Sequence, residues 1–100
     1  MKTATFFRTP TGTFDRWAEA AAECDRFDFD PGLCMMLIDV EDNGRATERP
    51  VGEWAVDGLD HDQGGKDVTL PGRETYDDAL RCADLLRQCG YRTRIRPVVG

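Results

Sequence analysis

No stretch of this chain approaches the ~20 consecutive apolar residues of a membrane span. At the N-terminus, Met1 to Phe7 has one basic residue and some apolar character, but Arg8, Pro10 and Asp15 interrupt it before a signal-peptide core can form. The cytoplasm is therefore the expected location, with the cysteines reduced. Cys24, Cys34, Cys82 and Cys89 include no CxxC pair, which argues against a zinc site. Cys82 and Cys89 are expected on one helix face about 10.5 Å apart along the axis, too far for a disulfide between them. A redox pair formed across helix and strand stays open.

Histidine is nearly absent as well. His61 stands alone between Asp60 and Asp62 in a glycine-rich stretch, the wrong setting for a general base that has to be held in place. It reads as a solvated loop residue. Two segments imitate the start of a calcium loop, Asp39 to Gly44 and Asp60 to Gly65, but position twelve is Pro50 in one and Pro71 in the other, where a bidentate Glu is needed. Gly64-Gly65-Lys66 lacks the spacing of a phosphate loop. No enzyme, metal or cofactor is expected.

Positive charge is also short. Nineteen acidic residues face thirteen basic ones, a net charge of −6, which opposes direct binding to nucleic acid. An RNA-binding sheet face would need aromatics beside basic residues. Phe6 or Phe7 with Trp54 meets half of that, and the rings read more simply as core.

What is present suits one small domain. One hundred residues with 40% apolar side chains can bury a core without disulfides or metals. Lys2 to Thr9 reads as a strand ending in the turn Pro10-Thr11-Gly12. Thr13 is then placed to cap a helix from Phe14 to about Arg26, with Phe14, Trp17, Ala18, Ala21 and Cys24 on one face. Pro31-Gly32 breaks it, Leu33 to Val40 reads as a buried strand, and Asp42-Asn43-Gly44 is a hairpin signal. The return strand is placed at Glu53 to Val56, interrupted upstream by Pro50 and Gly52. Asp57 to Asp67 reads as a mobile surface loop, and Val68 to Leu70 as a short strand.

The clearest element is the last helix, Tyr76 to Cys89. Thr75 with Asp78 fits a capping box, Asp77 and Asp78 sit at the positive end of the helix dipole, and Ala79, Cys82, Ala83, Leu86 and Cys89 form the expected buried face. Gly90 supplies the left-handed residue that ends a helix, and Tyr91 to Val99 alternates as a strand. The order strand, helix, strand, strand, helix, strand predicts an α+β, ferredoxin-like βαββαβ fold. Its antiparallel sheet would carry two helices on one face, with the last strand as an edge beside the first. Such a fold does not choose a function.

Two charge patterns remain as site candidates. Arg92, Arg94 and Arg96 share one face of the last strand and repel unless something answers them. They read as protection of an edge strand, with Asp39, Glu41 or Glu53 as possible counter-charges, or as an anion site. Asp15, Glu19 and Glu23 recur every four residues and form a row of negative charge about 6 Å apart, with Arg16 and Arg26 as partial offsets. Asp57, Asp60 and Asp62 form a second acidic group. In size, acidity and layout, and in these acidic rows, the chain resembles the small inhibitors that phages and mobile elements direct against nucleic-acid-based defence, the anti-CRISPR proteins. The resemblance implies occlusion, in which carboxylates pair with Lys and Arg of a basic, nucleic-acid-binding partner protein. The alternative is a regulatory or assembly module that self-associates as a homodimer through its sheet and binds an anion or acidic partner at the arginine strand.

Overall fold

The computed structural model of the protein describes residues 3–99. Lys2, expected in the first strand, lies outside them. The chain divides into two compact units, one running through Val51 and one spanning Gly52–Val98, with Val99 grouped with the first. Each unit has its own antiparallel sheet. The fold is α+β.

The first unit contains β1 (Thr3–Thr9), β2 (Gly12–Phe14), α1 (Trp17–Phe27), α2 (Pro31–Cys34), β3 (Met36–Glu41) and β4 (Ala46–Pro50), in the sheet order β2-β1-β3-β4. Pro10 and Thr11 reverse the chain between β1 and β2. The buried Thr9 hydroxyl holds this turn, accepting from the Thr11 N–H at 3.3 Å and donating to the Gly12 carbonyl at 3.2 Å. Pairing of Phe7 with Leu37 across β1 and β3 places two core side chains side by side. Ala20 and Cys24 of α1 close over them, and Trp17 meets Phe7 edge-on at 5.8 Å.

Local chemistry sets where α1 ends. Asp28 adopts a left-handed φ of 57°, and the Phe29 N–H returns to the Cys24 carbonyl at 2.8 Å. Asp30 then caps α2 by accepting from the Gly32 N–H at 2.9 Å, with Pro31 at the first helical position, where its missing N–H costs nothing. The β3–β4 hairpin closes at Asp42-Asn43-Gly44 as expected, with Gly44 at φ +85° and the Asn43 side chain accepting from the Arg45 N–H at 2.9 Å.

The second unit contains β5 (Trp54–Leu59), β6 (Val68–Arg73), α3 (Tyr76–Gln88) and β7 (Arg92–Pro97), in the sheet order β6-β5-β7. The Thr75 hydroxyl caps α3, accepting from the Asp78 N–H at 3.1 Å. Trp54 meets Tyr76 of α3 edge-on at 5.0 Å, and Ala79 and Ala83 on the helix are fully buried. Strand alternation places Val56 on the Trp54 face and Asp57 on the other.

The ferredoxin-like single sheet is not what forms. The strand returning from the Asp-Asn-Gly turn begins at Ala46 and ends at Pro50, which has no N–H to continue a ladder; Trp54 to Leu59 instead centres a second sheet. As a result β7 is an edge strand beside β5, not beside β1. Phe14 lies in β2 rather than in the helix, because Gly12–Phe14 pairs back on Phe7–Thr9. Leu33 is 88% exposed on α2 instead of buried in a strand. Cys82 on α3 is only half-buried, and Cys89, which follows the last helical residue Gln88, is exposed. Among the described residues, no helix is long and apolar enough to cross a membrane.

Candidate functional site

The sheet register accounts for the arginine strand. Asp57, at the centre of β5, stands opposite Arg94 on β7 and Thr69 on β6. Its Oδ2 accepts from Arg94 Nε and Nη2 at 3.1 and 3.0 Å and from Arg96 Nε at 2.9 Å. Its Oδ1 accepts from Thr69 Oγ1 at 2.8 Å, with Arg96 Nη2 farther off at 3.4 Å. The Asp57 side chain is 3% exposed, against 59% and 40% for Arg94 and Arg96, so the two guanidiniums cover the carboxylate while remaining in contact with water. Burial alone would raise its pKa. Hydrogen bonds from Arg96, Thr69 and Arg94 overcome that and hold it at about 2.

Asp57 is therefore not the surface acid expected of a mobile loop. It is a buried counter-charge inside a sheet, because β5 continues through Leu59. The answering groups are Asp57 and, for Arg92, the exposed Asp60 at 2.7 Å. Asp39 pairs instead within the first unit, accepting from Arg49 Nε at 2.6 Å and from Thr5 Oγ1 at 2.8 Å; the Arg49 and Thr5 bonds hold its pKa below the usual carboxylate range.

The loop from Asp60 to Asp67 is also more ordered than its composition suggests. His61 Nε2 lies 2.8 Å from the Cys89 carbonyl, and Nδ1 accepts from the Gln63 N–H at 3.1 Å. A nitrogen that accepts carries no proton, so the proton sits on Nε2 and is donated to the end of α3. The ring packs edge-on against Tyr91 at 4.6 Å. The expectation of a free, solvated histidine fails, because the αL turn at Gly90 brings a carbonyl and an aromatic ring to the loop; the Asp62 N–H also bonds the Gly90 carbonyl at 2.9 Å. With both ring nitrogens engaged, His61 ties the loop down. The exposed Asp62 carboxylate stands 3.6 Å from His61 Nδ1.

On α1 the acidic row is shorter than its spacing implied. Asp15 lies in the bend before the helix, since Arg16 is the N-cap residue, so only Glu19 and Glu23 share a helical face. Asp15 and Glu19 are exposed and Glu23 is half-buried. Arg16 and Arg26 do not offset them: among the described residues no Lys or Arg lies within 4.0 Å of these three carboxylates. Arg26 sits instead over the Phe27 ring at 5.3 Å.

One further feature has no local signature in the sequence. A shallow groove of about 430 Å³ runs between the end of β6 and α3, lined by Arg73, Glu74, Asp78, Arg81, Cys82 and Leu85. Gly72, at φ +84° near the end of β6, also lines it. Its charges are mixed, Arg81 standing 3.6 Å from Asp78, and the Arg73 Nε is buried with no hydrogen-bond partner. No group of three potential metal-ligating side chains comes together among the described residues. Compared with protein-family models, curated proteins and solved structures, the chain matches none.

Proposed function

We propose that this protein is a non-enzymatic, cytoplasmic binding protein that sets the Glu19 and Glu23 face of α1, together with Asp15, against a basic surface of a nucleic-acid-binding protein, as an anti-CRISPR-type inhibitor does. One observation carries the reading. The basic strand is answered internally, Arg94 and Arg96 by Asp57 and Arg92 by Asp60, whereas no Lys or Arg among the described residues lies within 4.0 Å of the carboxylates of Asp15, Glu19 and Glu23. The first unit holds ten acidic residues against six basic ones, so the field around α1 is negative beyond the row itself. Solvent-facing carboxylates outside an ion pair give up little on meeting Lys or Arg across an interface, and they steer encounter as well as hold it.

The same observation weakens the alternative of an anion-binding, self-associating module. An anion arriving at Arg94 and Arg96 has to compete with a buried carboxylate already bonded to both. Of the loop acids, Asp60 is paired and Asp62 stands beside His61, which leaves α1 as the main surface.

Co-purification from a host lysate tests the reading, with the wild-type chain compared with a Glu19→Lys, Glu23→Lys double variant. The wild type should recover a basic, nucleic-acid-binding protein and the variant should not. Equal recovery by both, or no such protein with either, refutes the assignment.

A further inference from the structure

The first unit contains two thiols brought together by features that are local in sequence. Cys24 occupies the last turn of α1, and its carbonyl receives the Phe29 N–H as Asp28 reverses the chain. The Asp30 cap starts α2 at once, and α2 ends on Cys34. Cys34 packs against the core cluster that contains Cys24, and the two thiols are neighbours there. Cys24 is 1% exposed, whereas Cys34 is half-buried and open to a reagent from solvent. Neither thiol has a role in the binding surface proposed above, and the inference stands without that surface.

We infer that Cys24 and Cys34 form a reversible oxidation site, closing an intramolecular disulfide that ties the C-terminal turn of α1 to α2. The co-reactant is a low-molecular-weight disulfide. Cys34 Sγ, as the thiolate, attacks one sulfur of the reagent, breaks its S–S bond and releases one thiolate. Cys24 then loses its proton, and its sulfur attacks Cys34 Sγ, displacing the second thiolate. One S–S bond has broken and one has formed; two electrons pass to the reagent, and the two protein-thiol protons are balanced by the two released thiolates. Burial and the neighbouring Cys34 thiol push Cys24 up to about 11, which keeps it protonated and makes Cys34 the entry point. Closure relies on proximity, since a thiol held against its target acts at an effective concentration that no free thiol matches.

The experiment uses the full chain carrying Cys82→Ser and Cys89→Ser, equilibrated in mixtures of reduced and oxidised glutathione, acid-quenched and alkylated. Trypsin cuts after Arg26, between the two cysteines, so a bond appears as a linked pair of peptides, 17–26 with 27–45. The expected result is loss of two hydrogens from the native chain, that linked pair, and an effective concentration at least about ten-fold higher than for the same chain in urea. Adding Cys24→Ser should arrest the reaction at a glutathione adduct on Cys34; if that variant does not fold, adding Cys34→Ser should leave Cys24 unmodified under native conditions. A native chain that stops at the Cys34 adduct, or that closes no more readily than in urea, overturns the inference.

Discussion

Replacing Asp57 with Asn should remove a pH-dependent share of stability that the wild type loses in acid. The carboxylate has an ordinary pKa of 3.8 and is held at about 2 in the folded chain. A folded-state pKa below the unfolded one contributes stability that is fully present above the unfolded value and is lost as pH falls through the folded value. The gap between 3.8 and about 2 corresponds to roughly 2 kcal/mol at neutral pH, lost between about pH 4 and pH 2. Removing one partner of a fully buried ion pair costs about 3–5 kcal/mol. Here Arg94 and Arg96 are 59% and 40% exposed and rehydrate when released, so the cost falls toward the lower figure. The Asn amide oxygen can still accept from Thr69, so shape is largely kept. Urea unfolding from pH 7 to pH 2 is the assay, with the wild type and Asp57→Asn compared at each pH. The curves should be about 2 kcal/mol apart at pH 7 and converge toward pH 2. Parallel curves, or no gap at pH 7, would show that the two arginines do not hold the carboxylate as described.

Gly90→Ala should destabilise the second unit by about 1–2 kcal/mol or more in thermal unfolding, since φ is +98° and an added Cβ would stand 2.5 Å from Asp62 Oδ1. Hydrogen exchange should then rise across 60–67, where the loop loses its hold on the end of α3. Leu37→Ala, at a fully buried position beneath α1, should cost about 2–5 kcal/mol in urea unfolding of the first unit while leaving Asp57-dependent behaviour unchanged.

The parts of this structure that could be read from sequence are those decided by near neighbours. Thr75 with Asp78, the φ > 0 requirement at Gly90, and the Asp42-Asn43-Gly44 turn each act within a few residues, and all three stand where expected. The Gly12–Phe14 strand was hidden because Thr13-Phe14 followed by alanines also suits a helix start, and only pairing with Phe7–Thr9 decides between them. Asp57 was misplaced for the same reason on a longer scale. Its partners Arg94 and Arg96 lie 37 and 39 residues away, so its burial follows from the β5–β7 register and from nothing local. The division into two sheets likewise depends on which strand pairs with β5. Of the site, the acids at 15, 19 and 23 could be found by spacing, but that no Lys or Arg among the described residues pairs with them could not.

The direct test of the central claim is the affinity of the chain for the basic partner it recovers, measured across salt concentration for the wild type and for Glu19→Lys, Glu23→Lys. At low salt the variant should bind at least about ten-fold more weakly, and wild-type affinity should fall steeply as salt rises, because exposed charges are screened beyond roughly 10 Å at 0.1 M. An affinity that ignores both salt and the charge reversal would contradict a binding surface on α1.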